Sequence, residues 1–474
     1  MKKMFWAVGL LSIVGWGEIA PTVQGNGVPV APGPATASSR REGVTAERVI
    51  VDFSEHRGEI RPLNGLCNGP LLYGRGRSGR IVQWLKDLEI PYTRLHDVPL
   101  ENPGMEVVDV SRIFPLFHAD YDDPRNFNFG PTDDYVRNCL ATGTELDFRF
   151  GETIEHTERR YRAVVPPDID RWAEICVRIA RHYRPQVKSW SIWEEPNNKL
   201  LLDGPNAYPE AFCRMYVTLA KRLKAEFPDM PVGGPALMGT QEGDVRAFLA
   251  ACRDAGAPLD FFSYTNYDQW FVEFAASVQR VRGLLDEYGF KETKIHLAEW
   301  HKGPESWNLS EIGHDAYFAS LTGDAATAYA GQILLGAQDL PVDRLYYYCA
   351  FLNNWGLFGR GERRSVWYLF KAFADLRKIG ARVKTVAPRK WKALAAAGEN
   401  TGRLLLAGRD TTPRPIVVDV KGGLVPTAVR LIGAGKMDES VAGWTFRDGV
   451  LMLPAVQTKD VVWIVDCSRP VSVE

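Results

Sequence analysis

Residues 188–196 read KSWSIWEEP and residues 294–300 read KIHLAEW, and these two short apolar runs decide the fold. Each is rich in β-branched and aromatic residues, as strands are, and each leads to a glutamate, Glu195 in the first and Glu299 in the second. A strand that ends in a carboxylate is expected where that end faces a cavity. In a parallel barrel the carboxyl ends of all strands meet at one rim. The two runs therefore predict a barrel that carries both glutamates on the same rim.

Further strand-length runs bring the number of predicted barrel strands to eight. They are PLNGLCN (62–68), PYTRLHD (91–97), ELDFRFG (145–151), PVGGPAL (231–237), DFFSYTNY (260–267) and DRLYYYCAF (343–351). Between the strands lie segments such as 170–184 and 209–227, whose apolar residues recur every three or four positions and predict amphipathic helices. Asp168 and Asp170 are suited to cap the first of these helices. Alternating strands and helices predict a (β/α)8 TIM barrel.

The pattern changes after about residue 380. Residues 381–474 contain short apolar runs broken by Gly, Pro, Asn and Asp, without helical segments between them. This pattern predicts a small C-terminal β-sandwich next to a barrel at residues 46–380. The run ERVIVDFS at residues 47–54 is a candidate for one more strand of that sandwich.

The N-terminus has the features of a signal peptide. Lys2 and Lys3 precede an apolar stretch, residues 4–16, that is too short to span a bilayer. We expect residues 1–25 to be removed on export to the periplasm or the extracellular space. Residues 26–45, rich in Pro, Gly, Ala and Ser, predict a flexible linker. A retained membrane anchor is the alternative.

The composition favours neither nucleic acid nor a membrane surface as a partner, because 57 basic residues balance 58 acidic ones. The 14 Trp and 17 Tyr suit a protein that stacks sugars, although most of them are expected in the core. The seven cysteines are odd in number and show no metal-binding spacing, which predicts mostly buried thiols and no metal or other cofactor. One disulfide of unassigned pairing stays open.

Two carboxyl groups that face each other are the minimal equipment for hydrolysing a glycosidic bond, since one protonates the leaving oxygen and the other attacks the anomeric carbon. Pro196 ends strand pairing, so Glu195 stands at the mouth of the fourth barrel strand. Glu299 ends the seventh strand, three positions away in the ring. For either glutamate alone, a salt-bridged rim residue is the alternative.

From about Pro62 to Gly380 the chain resembles glycoside hydrolase family 39, which includes β-xylosidases and α-L-iduronidases. The resemblance is densest in VVPPDIDRWAEICVRIARHYRPQVKSWSIWEEPNNKLLL and continues through VGGPAL, HLAEW, GHDAYFAS and WGLFGRGERRSVWYLFKAFADL. It implies a retaining mechanism with Glu195 as the acid/base and Glu299 as the nucleophile.

The same resemblance implies a set of supporting residues. Arg94 and His96 on the second strand would support the site, and Tyr267 on the sixth strand would donate a hydrogen bond to the nucleophile. A cation or a hydroxyl donor beside Glu299 favours its charged form, while a more enclosed Glu195 can hold its proton. We also expect substrate contacts from the neighbours of the two glutamates. These are Glu194, Asn197 and Trp300.

Glu194 stands where the family has an asparagine. An ionised glutamate accepts hydrogen bonds but donates none, and beside Glu195 it would raise the pKa of that group by charge repulsion. The alternative is an outward-pointing Glu194 in a salt bridge, since neighbouring strand residues alternate sides.

Two further positions depart from the family pattern. Thr265 takes the place of a histidine in the pattern S-x-H-x-Y, and Tyr348 and Cys349 lie where a tryptophan is expected near the end of the eighth strand. The subsite around the sugar is therefore rebuilt, and the substrate cannot be copied from the xylosidases.

Arginines cluster in the loops expected on the catalytic rim. They are Arg75, Arg77, Arg80, Arg159, Arg160, Arg162, Arg360, Arg363 and Arg364. Guanidinium groups match carboxylate or sulfate oxygens, which would suit an anionic glycan. The favoured alternative is solvated loops that pair with local acids such as Glu152, Glu155 and Glu362.

Together these patterns predict an exported retaining glycoside hydrolase that acts on a polysaccharide or its oligosaccharides. Two other classes stay open. The first is a carbohydrate-binding barrel that has lost catalysis. Glu194 and Thr265 favour this class because they depart from the family pattern. The second is a transglycosidase, which uses the same two carboxylates and excludes water.

Overall fold

The computed structural model describes residues 47–70, 78–96, 107–151, 165–166, 168–198, 208–350, 355–359 and 361–470. The predicted signal peptide (1–25) and linker (26–45) lie outside these residues. So do Arg75, Arg77, Arg159, Arg160, Arg162, Arg360, Glu152 and Glu155. Within the described ranges, every helix is too short or too polar to cross a membrane.

Eight parallel strands close into a barrel, and every predicted barrel strand is confirmed. The first strand of the chain, β1 (Glu47–His56), belongs to a second sheet. The barrel strands follow in ring order as β2 (Gly65–Cys67), β3 (Tyr92–Leu95), β4 (Glu145–Phe150), β5 (Ser189–Ile192), β6 (Val232–Met238), β7 (Phe261–Asn266), β8 (Lys294–Trp300) and β9 (Arg344–Tyr348). Strand β9 pairs with β2 and closes the ring.

Helices surround the barrel. They are α1 (Ser78–Lys86), α2 (Val110–Ile113), α3 (Gly130–Leu140), α4 (Ile169–Tyr183), α5 (Glu210–Glu226), α6 (Glu242–Ala255), α7 (Phe271–Glu287), α8 (Leu309–Ile312), α9 (His314–Thr322), α10 (Asp324–Gly336) and α11 (Ser365–Ile379). The two helices predicted from periodicity are α4 and α5. Asp168 caps α4 as expected, since its side chain accepts a hydrogen bond of 2.9 Å from the backbone N–H of Arg171.

Two barrel strands contain a β-bulge near the rim. In β6 the register shifts between Pro235 and Leu237, and the extra residue Ala236 has a positive φ of 55°. In β8, Leu297 pairs with Tyr264 of β7, and Glu299 pairs with the next residue, Thr265. Ala298 is therefore the extra residue of this bulge, directly before Glu299. A bulge re-aims the side chains that follow it, so both irregularities bear on the orientation of the groups at the rim.

In the described residues, the C-terminal strands and β1 form one ten-stranded sheet, to which the C-terminal part contributes nine strands. They are β12 (Ala381–Val386), β13 (Trp391–Ala397), β14 (Thr401–Gly408), β15 (Ile416–Lys421), β16 (Val425–Gly433), β17 (Lys436–Ser440), β18 (Thr445–Arg447), β19 (Val450–Leu453) and β20 (Val461–Ser468). Their order is β17-β16-β20-β14-β13-β12-β1-β15-β19-β18, so the predicted strand at residues 47–54 joins this sheet. A separate two-stranded hairpin, β10 (Phe358–Gly359) with β11 (Glu362–Arg363), follows β9.

The sheet has one face on its own core and another on the barrel helices. In β14, Leu404 and Leu406 belong to the core of the sheet, whereas Leu405 and Ala407 belong to the core of the barrel. Helix α10 approaches this second face closely at Gly331, where a Cβ would lie only 2.8 Å from the Cβ of Ala407. The two apolar layers therefore attach the sheet to the barrel.

Candidate active site

Glu195 lies in the turn after β5, held by the bulge of β6. Its backbone N–H donates a 2.9 Å hydrogen bond to the carbonyl oxygen of Ala236. Trp193 and Glu195 both adopt positive φ angles, of 73° and 40°. This conformation is uncommon for residues other than glycine and costs about 1 kcal/mol or more each, so the surrounding structure must impose it.

The side chain of Glu195 is held by neutral donors. The Thr265 hydroxyl donates to Glu195 Oε1 at 2.7 Å, and the Asn198 amide donates to Oε2 at 2.9 Å. Thr265 is the position where the sequence departs from the family pattern, and it contacts the candidate acid/base directly.

Glu299 is almost fully buried and has different partners. Its Oε2 accepts a 2.6 Å hydrogen bond from the Tyr267 hydroxyl, and its Oε1 lies 3.0 Å from His96 Nε2 and 3.7 Å from Cys67 Sγ. Burial and the charge of Glu299 hold the pKa of Tyr267 well above its usual range. The tyrosine therefore stays protonated and donates.

Glu194 lies inside the barrel and not in solvent. Its carboxylate is fully buried and accepts a hydrogen bond from Arg94 Nη2, and Oε2 lies 3.7 Å from His96 Nδ1. The salt bridge of the alternative interpretation thus exists, but it points inward. These partners lie on the Glu299 side of the site, whereas Glu195 contacts Thr265 and Asn198.

Arg94 connects the two carboxylates on this side. Its Nη1 lies 3.9 Å from Glu299 Oε1, while Nη2 binds Glu194. Burial alone would lower the pKa of Arg94, but the negative charges of Glu194 and Glu299 raise it above its usual value, so the guanidinium stays charged.

His96, Glu194 and Glu299 each offer a ligand atom, and these atoms lie within 4.8 Å of one another. Imidazole nitrogen and carboxylate oxygen are ligands that bind zinc. The Arg94 guanidinium, however, already places a positive charge beside both carboxylates and would repel a second cation. The donor set therefore does not fit a resident metal ion.

Asn197 and Trp300 lie apart from this cluster. Asn197 donates to Asp244 Oδ2 at 2.7 Å and accepts from the Met238 backbone at 2.8 Å, so it ties the turn after β5 to the end of β6. Trp300 is fully buried, and its ring packs edge-on against Tyr347 at 5.0 Å. These contacts hold both residues in place, and substrate contact by either one stays a prediction.

Three residues contact the glutamates although no such contact was predicted for them. Thr265 lies two residues before Tyr267, so the period of two along a strand could have placed both on one face. Cys67 ends β2 at the same rim as Glu299. Asn198 gave no signal beyond its proximity to Glu195. The predicted burial of the cysteines is confirmed, because all seven are buried.

The described rim arginines pack against aromatic rings and main chain. Arg80 and Arg363 lie over the ring of Trp84 at 5.7 and 5.4 Å, and Arg364 donates to the carbonyl of Gly356 at 2.7 Å. In the part of the chain that the structure describes, neither Arg80 nor Arg363 has an ion-pair partner.

Comparison with known proteins matches the chain to one family. The family described as Glycosyl hydrolases family 39 matches residues 80–353. A β-xylosidase of Geobacillus stearothermophilus is 23% identical over 272 residues, which cover 49% of this chain and 53% of the relative. The chain thus spans about half the length of this relative.

Solved structures share the fold at low identity. A glucosidase from Croceicoccus marinus superimposes with a TM-score of 0.67 at 19% identity, covering 90% of this chain and 100% of the other. A monomeric β-xylosidase from Caulobacter crescentus CB15 gives a TM-score of 0.65 at 18% identity, with the same coverage of 90% and 100%. With more than half of its length matched by the family, the chain belongs to glycosyl hydrolase family 39.

Proposed function

We propose that this protein is a retaining glycoside hydrolase in which Glu299 is the nucleophile and Glu195 the acid/base. The observation that carries the proposal is the unequal surroundings of the two carboxyl groups. Glu299 has a tyrosine hydroxyl, an imidazole and a guanidinium nearby, which suit a permanent carboxylate. Glu195 has the neutral donors Thr265 and Asn198, which suit a group that gains and loses a proton.

The reaction then proceeds by double displacement. Glu195 gives its proton to the glycosidic oxygen while a Glu299 oxygen bonds to the anomeric carbon, and the bond to the leaving group breaks. In the second step, water attacks the same carbon, its proton passes to Glu195, and the ester to Glu299 breaks. Two inversions retain the configuration. Tyr267 stabilises Glu299 as the carboxylate in the free enzyme and as the leaving group of the second step.

The substrate class that we propose is a polysaccharide or its oligosaccharides. Xylosides and glucosides are the starting points of the search because the relatives named above are β-xylosidases and a glucosidase, but neither sugar is assigned, since Glu194 and Thr265 depart from the family pattern. Glu194 offers a hydrogen-bond acceptor where the asparagine of the family offers a donor. We therefore expect a sugar hydroxyl to donate a hydrogen bond to Glu194. A uronate-containing or sulfated glycan is the second candidate, because Arg80 and Arg363 are neighbours on Trp84 without a described ion-pair partner.

We further propose that the protein is exported after removal of residues 1–25. The barrel at residues 46–380 would be the catalytic unit, with β1 shared with the sheet of residues 381–474. The test of export is the mass of the chain recovered from the periplasm or the medium, measured by mass spectrometry. We expect this mass to lack residues 1–25.

The test of the activity is a screen of aryl glycosides and polysaccharides, including uronated and sulfated ones, with and without an acceptor sugar. We expect free reducing sugar as the main product, and no product from the Glu299→Gln control. Products joined to the acceptor would indicate a transglycosidase. Binding without any product would indicate an inactive carbohydrate-binding barrel, and both results would contradict the proposed hydrolase.

A further inference from the structure

Five aromatic residues form a connected cluster of rings beside Glu299, here called the aromatic wall. They are Tyr267, Trp307, Tyr317, Tyr348 and Trp355. The ring of Tyr267 lies 5.6 Å from the rings of both Trp307 and Trp355, and its hydroxyl binds Glu299. The wall therefore begins at the nucleophile and extends outward along the rim.

Trp307 is the outer member of the wall and is half exposed, at 50%. It stacks on Trp355 with 6.1 Å between ring centroids and 24° between the ring planes. A second exposed tryptophan, Trp270, is 40% exposed, but its ring is covered by the guanidinium of Arg409 at 4.1 Å. Trp307 thus presents an apolar surface to solvent next to the site, where a ligand can cover it.

The wall is supported from behind by His301. This buried ring packs edge-on against Trp355 at 5.1 Å, and its two nitrogens lie 2.8 Å from the Tyr347 hydroxyl and the Lys302 carbonyl. Burial lowers the pKa of His301 to about 4. The neutral ring can donate to the carbonyl and accept from the tyrosine, so it holds Trp355 in a fixed position.

The position of the wall in the ring indicates which part of a substrate it contacts. Glu195 follows β5, and the general acid must stand on the side of the leaving group. Strand β9, which leads to Tyr348 and Trp355, lies four places from β5 and therefore opposite it in the eight-stranded ring. The wall thus lies beside the candidate nucleophile Glu299 and across the ring from the candidate acid Glu195.

We propose that Trp307 and Trp355 form a second subsite for a neutral sugar unit, on the non-reducing side of the unit that Glu299 attacks. Sugar rings have apolar C–H faces, which pack on aromatic rings, and the five wall residues are uncharged. This inference rests on the proposed function and adds that the enzyme recognises at least two units before the scissile bond. Such an enzyme releases disaccharides or longer products, in contrast to one that removes single terminal sugars.

The experiment compares 4-nitrophenyl β-xyloside with 4-nitrophenyl β-xylobioside, or the same pair built on the sugar that the screen identifies. We expect the wild-type kcat/KM to be about tenfold higher or more for the two-unit substrate. Trp307→Ala should lower kcat/KM for that substrate about tenfold and leave the one-unit substrate within about twofold. Trp307→Phe, which keeps an aromatic face, should recover most of the loss.

Trp270→Ala is the matched control, because it removes an exposed tryptophan away from the wall and should leave both substrates unaffected. Equal effects of Trp307→Ala on the two substrates, or no effect on either, would overturn the second subsite while the hydrolase stands. A wild-type protein that cleaves nothing in the screen would instead overturn the proposed function and this inference with it.

Discussion

Tyr267 and Glu299 are joined by a hydrogen bond of 2.6 Å between the tyrosine hydroxyl and Oε2, which links the end of β7 to the candidate nucleophile on β8. The bulge in β8 lies directly before Glu299, so strand irregularity and side-chain bond together orient this carboxylate. The same tyrosine starts the aromatic wall. Its hydroxyl and its ring therefore serve two separate tasks.

Tyr267→Phe removes the hydroxyl and keeps the ring. A hydrogen bond to a charged group contributes about 1.5–3 kcal/mol, so kcat should fall by about tenfold to a hundredfold. Tyr264→Phe is the matched control, because this buried tyrosine of the same strand bonds to Ser277 at 3.0 Å and not to a glutamate. Steady-state kinetics of both variants check the prediction, and equal losses in the two would refute the role of Tyr267.

The roles of the two glutamates can be separated with azide. Glu299→Ala should abolish turnover, and azide should restore it with an inverted product, because azide attacks where the nucleophile is missing. Glu195→Ala should keep activity on substrates with good leaving groups, and azide should yield a product of retained configuration. NMR determines the anomeric configuration of the glycosyl azide that each variant forms. A retained product from Glu299→Ala and an inverted product from Glu195→Ala would mean that the roles are reversed.

Glu194→Gln tests the buried pair with Arg94. Removing one partner of a buried ion pair costs about 3–5 kcal/mol of unfolding free energy. The basic limb of the pH–rate profile should stay in place, because Glu194 pairs with Arg94 and lies near His96 on the Glu299 side of the site. A shift of the basic limb instead would place Glu194 beside Glu195, as the sequence suggested, and would contradict the observed pairing.

Glu194→Asn is the companion variant, because it restores the donor that the family carries at this position. We expect its preference among aryl glycosides to move toward xylosides. An unchanged preference across the same substrates would show that this side chain does not reach the sugar.

His301 makes folding stability depend on pH. Its pKa is about 4 in the folded protein against 6.5 for the free side chain, so the unfolded chain takes up the proton first as the pH falls. Stability should therefore be unaffected above about pH 6.5 and decline toward pH 4, by about 3 kcal/mol from this group. Urea unfolding of His301→Asn should show a flatter dependence over that window. His314→Asn, at an exposed position, should follow the wild type.

The barrel was predictable because its strands are compact apolar runs and helices such as α4 and α5 have a clear period. The strand-terminal glutamates followed from the same runs. Strands β17 and β18 give no such signal, because they are short and largely polar or exposed, and only pairing with neighbours makes them strands. The aromatic wall could not be predicted from the sequence either, since Trp307 and Trp355 meet only in the folded protein.

The arrangement around the glutamates depends on contacts that are remote in sequence. Arg94 and Glu194 are a hundred residues apart, and nothing in the strand pattern shows that they pair. The bulge at Ala236 fixes the direction of Glu195 through a single backbone hydrogen bond. Trp300 illustrates the converse, because it follows Glu299 in sequence yet alternates to the buried side of the strand.

The most direct measurement is to trap the covalent intermediate. A 2-deoxy-2-fluoro glycoside of the preferred sugar, with dinitrophenolate as leaving group, should form the glycosyl-enzyme faster than water can hydrolyse it. We expect peptide mass mapping to find one added sugar on Glu299. An added sugar on Glu195, or an active enzyme that accumulates no labelled peptide, would contradict it.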